Sequence, residues 1–317
     1  MPPQSSSPRA VGVPAARVSI VLAGGPGGAA LSLAAGQLLA VTPGAELVLV
    51  DGHPGGGSGW RLAGSRRVRQ LRICSPLGMA ALWNAGASIA RGEVLMFAGP
   101  RLLAARGWVA ALTAELAQPA VGAAGPAVTP PACPGARIAG LTWASAALDA
   151  RRLRHREAGP QPVPLLTGHC LALRREVFGA LGGFDTALLR RGGAAAELCL
   201  RLWRYGFQCR VAAGPGVTVQ PAAGPADQPA DQADLHDRLR LGTVHLAEAR
   251  LAQLVDALGG RPAFAAAMAR VADGDAGQRR AVVRDRAIHD DAWFLDRFAV
   301  TAFCGAQQPL ADCGGPP

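Results

Sequence analysis

Two kinds of side chain in this sequence stand where they could act on a charged ligand. Asp51 closes an apolar run, Glu46 to Val50, which follows a β-branched run and a glycine-rich turn, Gly24 to Gly28. Gly25, Gly27 and Ala30 match a G-x-G-x-x-A dinucleotide fingerprint, in which the backbone approaches a pyrophosphate closely and a following acid binds the ribose. Such a match arises easily in a chain with 41 glycines, and a carboxylate that caps a turn is the alternative for Asp51. The second kind lies between Leu165 and Gly206, where Arg190 and Arg191 precede an amphipathic segment that Glu197 opens. Guanidinium groups pair bidentately with phosphate oxygens, so an anion is the ligand to consider. Trp143 and His169 could stack on or bond a sugar, or could pack as partly buried residues.

Composition narrows the partners. The 317-residue chain carries a net charge of +10 with no lysine at all, so its cations are arginines. Phosphorylated ligands, nucleic acid and anionic lipid all suit that charge, and arginines scattered over solvated helix faces are the plainer account. With half its residues apolar and 17% charged, against about 25% charged in an average soluble protein, the chain builds a large core. Seven cysteines without a C-x-x-C pair argue against a disulfide framework and a thiolate zinc site. His289, Asp290 and Asp291 are consecutive and diverge on a helix, so they do not share a metal. Residues 1 to 16 lack the apolar core of a signal peptide, and no apolar run approaches the ~20 residues of a membrane span. A cytoplasmic protein is expected. The cluster Arg151, Arg152, Arg154, His155 and Arg156 is read as a solvated surface, with an anionic acceptor or a peripheral membrane-surface contact as the alternatives.

These residues need a frame. Arg17 to Ala23 and Glu46 to Val50 read as buried parallel strands joined by a helix over Ala29 to Val41, a right-handed βαβ unit. A short strand over Val68 to Ile73, a helix over Ala80 to Ala90 and a third strong strand over Glu93 to Phe97 follow.

From here the sequence resembles the family 2 glycosyltransferases. The resemblance rests on the N-A-G helix, the A-R-G-E turn, the apolar strand and the following G-W between Pro76 and Trp108. It also rests on T-G-x-C-L-A-x-R-R-E-V-F-x-x-L-G-G-F-D at Thr167 to Asp185 and on E-L-C-L-R-L-x-x-x-G at Glu197 to Gly206. It covers Arg17 to about Pro221. It implies a GT-A fold, an α/β Rossmann-like mixed sheet flanked by helices, and inverting transfer of a sugar from a nucleotide-diphosphate donor. In that family an acid after the second strand holds the nucleoside, an Asp-x-Asp after the third long strand carries Mg2+ or Mn2+, and an acidic loop before the last helix supplies the base.

The resemblance places Ala23, Asp51 and Asn84 at the nucleotide, and Thr167, Gly168, His169, Arg190 and Arg191 at the diphosphate or the acceptor. The chain departs from the family where metal and base belong. Ala98, Gly99, Pro100 and Arg101 follow the third strand and offer no carboxylate ligand. Ala194 and Ala195 stand for the acidic pair, and Gln220 stands where a histidine often follows the next strand. Glu197 is left as the candidate base, with a helix N-terminal carboxylate as its alternative role. Arg101, Arg190 and Arg191 could replace the metal by bonding the diphosphate directly. The readings carried forward are therefore a glycosyltransferase that needs no metal, a non-catalytic GT-A scaffold or partner-binding protein, and an FAD- or NAD-binding oxidoreductase. The acceptor, whether saccharide, lipid-linked or protein, is not legible, and nucleic acid is not expected as a partner.

The expected organisation is a tail over 1–16, a GT-A-like domain over 17–222, a Pro/Ala/Asp linker over 223–234, a helical extension over 235–303 and a tail over 304–317. Within the extension, apolar spacing predicts one helix from Leu235 to Leu258, a second from Pro262 to Val271 and a third from about Gln278 to Val300. They would form a small cap or a homo-oligomer contact.

Overall fold

The structure is a computed structural model that describes residues 16–24, 28–52, 65–75, 77–131, 135–155, 159–220 and 230–303. The first half runs β1 (Val18–Gly24), α1 (Gly28–Val41), β2 (Glu46–Asp51), β3 (Val68–Arg72), α2 (Met79–Ile89), β4 (Val94–Ala98), β5 (Leu102–Ala104), α3 (Trp108–Leu116), β6 (Val121–Gly125) and β7 (Val128–Thr129). Then come β8 (Ile138–Trp143), β9 (Ala150–Arg154), β10 (Gln161–Pro162), β11 (Cys170–Arg174), α4 (Arg175–Ala180), α5 (Arg191–Arg204), β12 (Gln208–Val211) and β13 (Val217–Val219). Helices α6 (Ala230–His245), α7 (Glu248–Leu258), α8 (Phe264–Ala272), α9 (Ala276–Arg286) and α10 (Asp291–Arg297) follow. The two predicted tails, Gly25 and Gly27 of the glycine turn, and most of the predicted linker lie outside the described residues.

An eight-stranded mixed sheet in the order β10-β12-β6-β11-β4-β1-β2-β3 organises the molecule, and a five-stranded sheet, β5-β13-β7-β8-β9, lies beside it. Strands β1 to β4 are mutually parallel, whereas β11 runs antiparallel to both β4 and β6. The period of two divides each central strand between two cores. Ile20, Leu22, Leu47, Leu49 and Met96 face Leu31 and Leu38 of α1 and Trp108 of α3. Val21, Val48, Val50, Leu95 and Phe97 face Trp83 of α2, Phe184 and Leu198 of α5. That second core continues without a break into Leu235, Leu239, Leu254, Val271, Val283 and Phe294 of the C-terminal helices. No described helix is long and apolar enough to cross a membrane, and the four described cysteines are free.

Three helix boundaries differ from the sequence expectation. The helix expected over Leu235 to Leu258 breaks at Ala247, whose N–H donates to Asp291 Oδ2 at 2.7 Å before Glu248 opens α7. The helix expected from Gln278 to Val300 breaks at Ala287. Asp290 then caps α10 by accepting from Trp293 N at 2.8 Å, an Asp N-cap that apolar spacing alone overrides. The linker prediction also ran too far, because α6 already begins at Ala230.

Candidate functional site

The parallel strands change direction of travel between β1 and β4, since the chain moves outward through β2 and β3 and returns on the other side of β1. In an open α/β sheet, ligands bind outside the carboxyl ends of the strands at such a switch point. Here the ends are Gly24, Asp51 and Ala98, with Asp51 paired to Gly24 in register. Asp51 is buried, and its carbonyl accepts from Ile73 N at 2.8 Å, which fixes the backbone on which the carboxylate is mounted. Ala23, expected at the nucleotide, is fully buried inside the ladder, one residue short of the carboxyl end that Gly24 forms.

At these carboxyl ends the first turn of α5 comes close to the loop after β4. A Cβ on Gly99 would overlap the Arg191 guanidinium, and one on Gly168 would lie 2.9 Å from the Arg191 carbonyl. Two glycines thus admit the helix and its first side chain. Gly99 N donates to His169 O at 3.1 Å, so the loop after β4 is tied to the start of β11. Gln220 N donates to Arg101 O at 2.8 Å, which brings the end of β13 to the same loop.

The gathered charges act on one another. Burial, with Arg101 and Arg190 nearby, lowers the Arg191 pKa to about 10. His169 is lowered to about 4 by burial and by Arg191, Arg101 and Arg152, so its imidazole is neutral at pH 7. Arg152 of β9 is the member that sequence reasoning missed, having been grouped with the surface arginines of its strand. Its signal would have been the pairing of Leu141 with both Arg152 and Leu165, which brings β9 toward the segment leading to His169.

The residues do not fit a divalent metal. The loop after β4 offers Gly99 and Pro100 where the resemblance expects carboxylates, and the Arg191 guanidinium fills the space a side chain at 99 would use. A fixed cation there repels Mg2+ or Mn2+. Among the described residues no group of three or more His, Cys, Asp or Glu is arranged to hold a metal ion.

Three other expectations are corrected. Glu197 does not open α5, which begins at Arg191. It is fully buried, with Oε2 accepting from Arg201 Nη2 at 2.9 Å, and Oε1 lying 3.2 Å from His245 Nε2 and 3.3 Å from Arg279 Nη2. Burial alone would raise its pKa, but Arg201, His245 and Arg279 hold the carboxyl well below the usual range. It is a structural counter-ion, out of reach of a substrate. Asn84 is a clamp between α2 and the turn before Asp185: Nδ2 donates to Phe184 O and Oδ1 accepts from Phe184 N, both at 2.9 Å. That turn requires its glycines, because Gly182 and Gly183 have φ of +75° and +74°, a region that only glycine enters without steric cost. Trp143 takes the packing alternative, buried against Phe294. Thr167 is buried as well, and Ala194 and Ala195 point wholly into the core.

No family model matches the sequence, and no curated protein matches it. Among solved structures, the chain is similar to GalNAc-T7 with UDP, GalNAc and Mn2+. The TM-score is 0.74 at 18% identity, over 90% of this chain and 57% of that one. The chain thus spans a little over half the length of that protein. Mannosyltransferase PcManGT from Pyrobaculum calidifontis in complex with GDP-Man and Mn2+ is also similar, at 18% identity and a TM-score of 0.49, over 90% of this chain and 87% of that one.

Proposed function

The chain has the GT-A fold of nucleotide-sugar transferases, and from that premise we propose that it binds a nucleoside-diphosphate sugar at the β1/β4 switch point without a divalent metal. Asp51 holds the nucleoside, and Arg191, Arg101 and Arg190 bond the diphosphate. Gly168 and His169 border the diphosphate and the acceptor. The unit that carries the reaction is the stretch over 17–222, with 230–303 as its helical extension. The dinucleotide-dependent oxidoreductase reading is not favoured, since its fingerprint glycines are one short match and the fold similarity covers 90% of the chain.

One observation carries the proposal: the Arg191 guanidinium lies over Gly99, beside like charges that depress its own pKa. Gathering cations in a partly buried crevice costs free energy, and an anion offsets it through charge-assisted hydrogen bonds. In sugar transfer with inversion, the bond from the anomeric carbon to the diphosphate oxygen breaks as negative charge grows on that oxygen. Fixed donors aimed there lower the barrier. A neutral His169 can accept a hydrogen bond from an acceptor hydroxyl, but a base with so low a pKa takes the proton weakly. Leaving-group stabilisation is therefore the stronger half of this site.

Calorimetric titration with UDP and with GDP in EDTA tests the reading. Binding is expected without metal, with no gain from Mn2+, and with roughly 10- to 100-fold weaker affinity in Arg191→Ala. A requirement for Mn2+, or an Arg191→Ala variant that binds as well as the wild type, would overturn it. A second reading, donor binding without turnover, is favoured by Ala194 and Ala195, which put buried methyl groups at the positions aligned with the family's acidic pair. Release of nucleoside diphosphate from a donor sugar in the presence of acceptors separates the two.

A further inference from the structure

The arginine-bearing start of α5 has no cap of its own. Its N-cap residue is Arg190, which makes no side-chain cap bond, and an arginine side chain has only donors. The two amides that lead into the helix are instead held from the helical extension, 47 residues further along the chain. Asp237 of α6 accepts from Arg190 N through Oδ2 at 2.8 Å and from Leu189 N through Oδ1 at 2.9 Å. Asp237 is itself buried, and His236 Nδ1 lies 3.2 Å from its Oδ1. The carboxylate fills the space that a side chain on Gly193 would need, so glycine at the third position of α5 and aspartate on α6 form one fitted contact. Asp237 therefore occupies the helix start on its inner side, where a negative charge is favoured by the helix dipole, while Arg191 reaches toward Gly99.

We propose that Asp237 is a positioning residue for the diphosphate site: by bonding the two amides before α5 it sets the height and rotation of that helix, and thereby the placement of the Arg191 and Arg190 guanidiniums. The extension is then a working part of the donor site. This inference rests on the reading of the arginines as diphosphate ligands. Charge-assisted hydrogen bonds hold only over a narrow range of distance and angle, so a shift of the helix start that moves both guanidiniums reduces diphosphate affinity by more than the loss of the Asp237 contact itself. A nucleoside monophosphate, which reaches fewer of the arginines, should be less sensitive.

The experiment measures the affinities of UDP against UMP, and of GDP against GMP, for wild type and Asp237→Asn by calorimetry in EDTA, with thermal unfolding recorded in parallel. The asparagine keeps one acceptor and presents an N–H to the other amide. The expected result is a diphosphate affinity reduced roughly tenfold relative to the monophosphate, in protein that remains folded. Gly193→Ala approaches the same contact from the other side, by pressing a methyl group on the Asp237 carboxylate, and is expected to reproduce the selective loss. It also carries the test if Asp237→Asn fails to fold. An unchanged ratio of diphosphate to monophosphate affinity in both folded variants would overturn the positioning role. A wild type that binds none of the four nucleotides would instead sink the reading of the arginine site on which the role depends.

Discussion

Replacing Glu197 by glutamine separates a structural acid from a catalytic one. The carboxylate lies in a buried network with Arg201, His245 and Arg279, and Arg279 also lies 3.0 Å from Asp185, which bonds Arg240 at 2.8 Å through both oxygens. Glutamine keeps the shape but removes the one charge that Arg201 meets within hydrogen-bond distance. Arg201 also donates to Leu181 O at 2.6 Å and Gly183 O at 2.7 Å, and those carbonyls do not neutralise it. Breaking a buried ion pair from one side costs about 3–5 kcal/mol, which lowers the melting temperature by on the order of 10 °C. Differential scanning calorimetry at pH 7 measures this, alongside diphosphate affinity at a temperature where both proteins are folded. The affinity should hold.

The pH dependence carries a sign. The folded pKa of Glu197 is lowered, so its contribution to stability is complete above the unfolded value of about 4.3 and is lost as pH falls toward the folded value. The stability gap between wild type and Glu197→Gln should stay level from pH 7 to about 5 and shrink below about 4. Unchanged melting with abolished sugar transfer would refute the reasoning and return Glu197 to the role of base.

Two further outcomes are accessible. Proton NMR of His169 should give a pKa of about 4, rising when UDP or GDP is added, because the added anion offsets Arg191 and Arg101; a titration that nucleotide leaves unmoved would count against an anion site there. Asn84→Ala should lose about 1–3 kcal/mol of stability by orphaning the Phe184 amide and carbonyl, with little change in nucleotide affinity, whereas a selective loss of affinity at unchanged melting temperature would restore Asn84 to the nucleotide site.

The strands that frame the site were legible because burial on both faces writes itself as continuous apolar runs. Val18 to Gly24, Glu46 to Asp51 and Val94 to Ala98 fall within a residue of where the sequence puts them. The loop after β4 was legible as a departure from the resemblance, since Gly99 and Pro100 are visible as letters. What fills the departure was not, because Arg191 reaches Gly99 from 92 positions away. The start of α5 was misread for a local reason: two glycines and three alanines look like a loop, and only the Asp237 carboxylate, supplied by another helix, explains why a glycine belongs inside that first turn. Glu197 was misread with it. Once α5 begins at Arg191, the residue lies well beyond the first turn and turns into the core.

The network around Glu197 and Asp185 also bears on the order in which the protein is made. Glu197 meets Arg279 across 82 residues, and Asp185 meets Arg240 across 55. A ribosome adding ~5–20 residues per second delivers Arg279 roughly 4–16 s after Glu197. Over the first half of that interval the carboxylate has Arg201 beside it but neither His245, 48 residues on, nor Arg279, and the amides before α5 still lack Asp237. The sheet can form early, while the start of α5 at its carboxyl ends waits for α6 to emerge and the buried network behind it waits for α9.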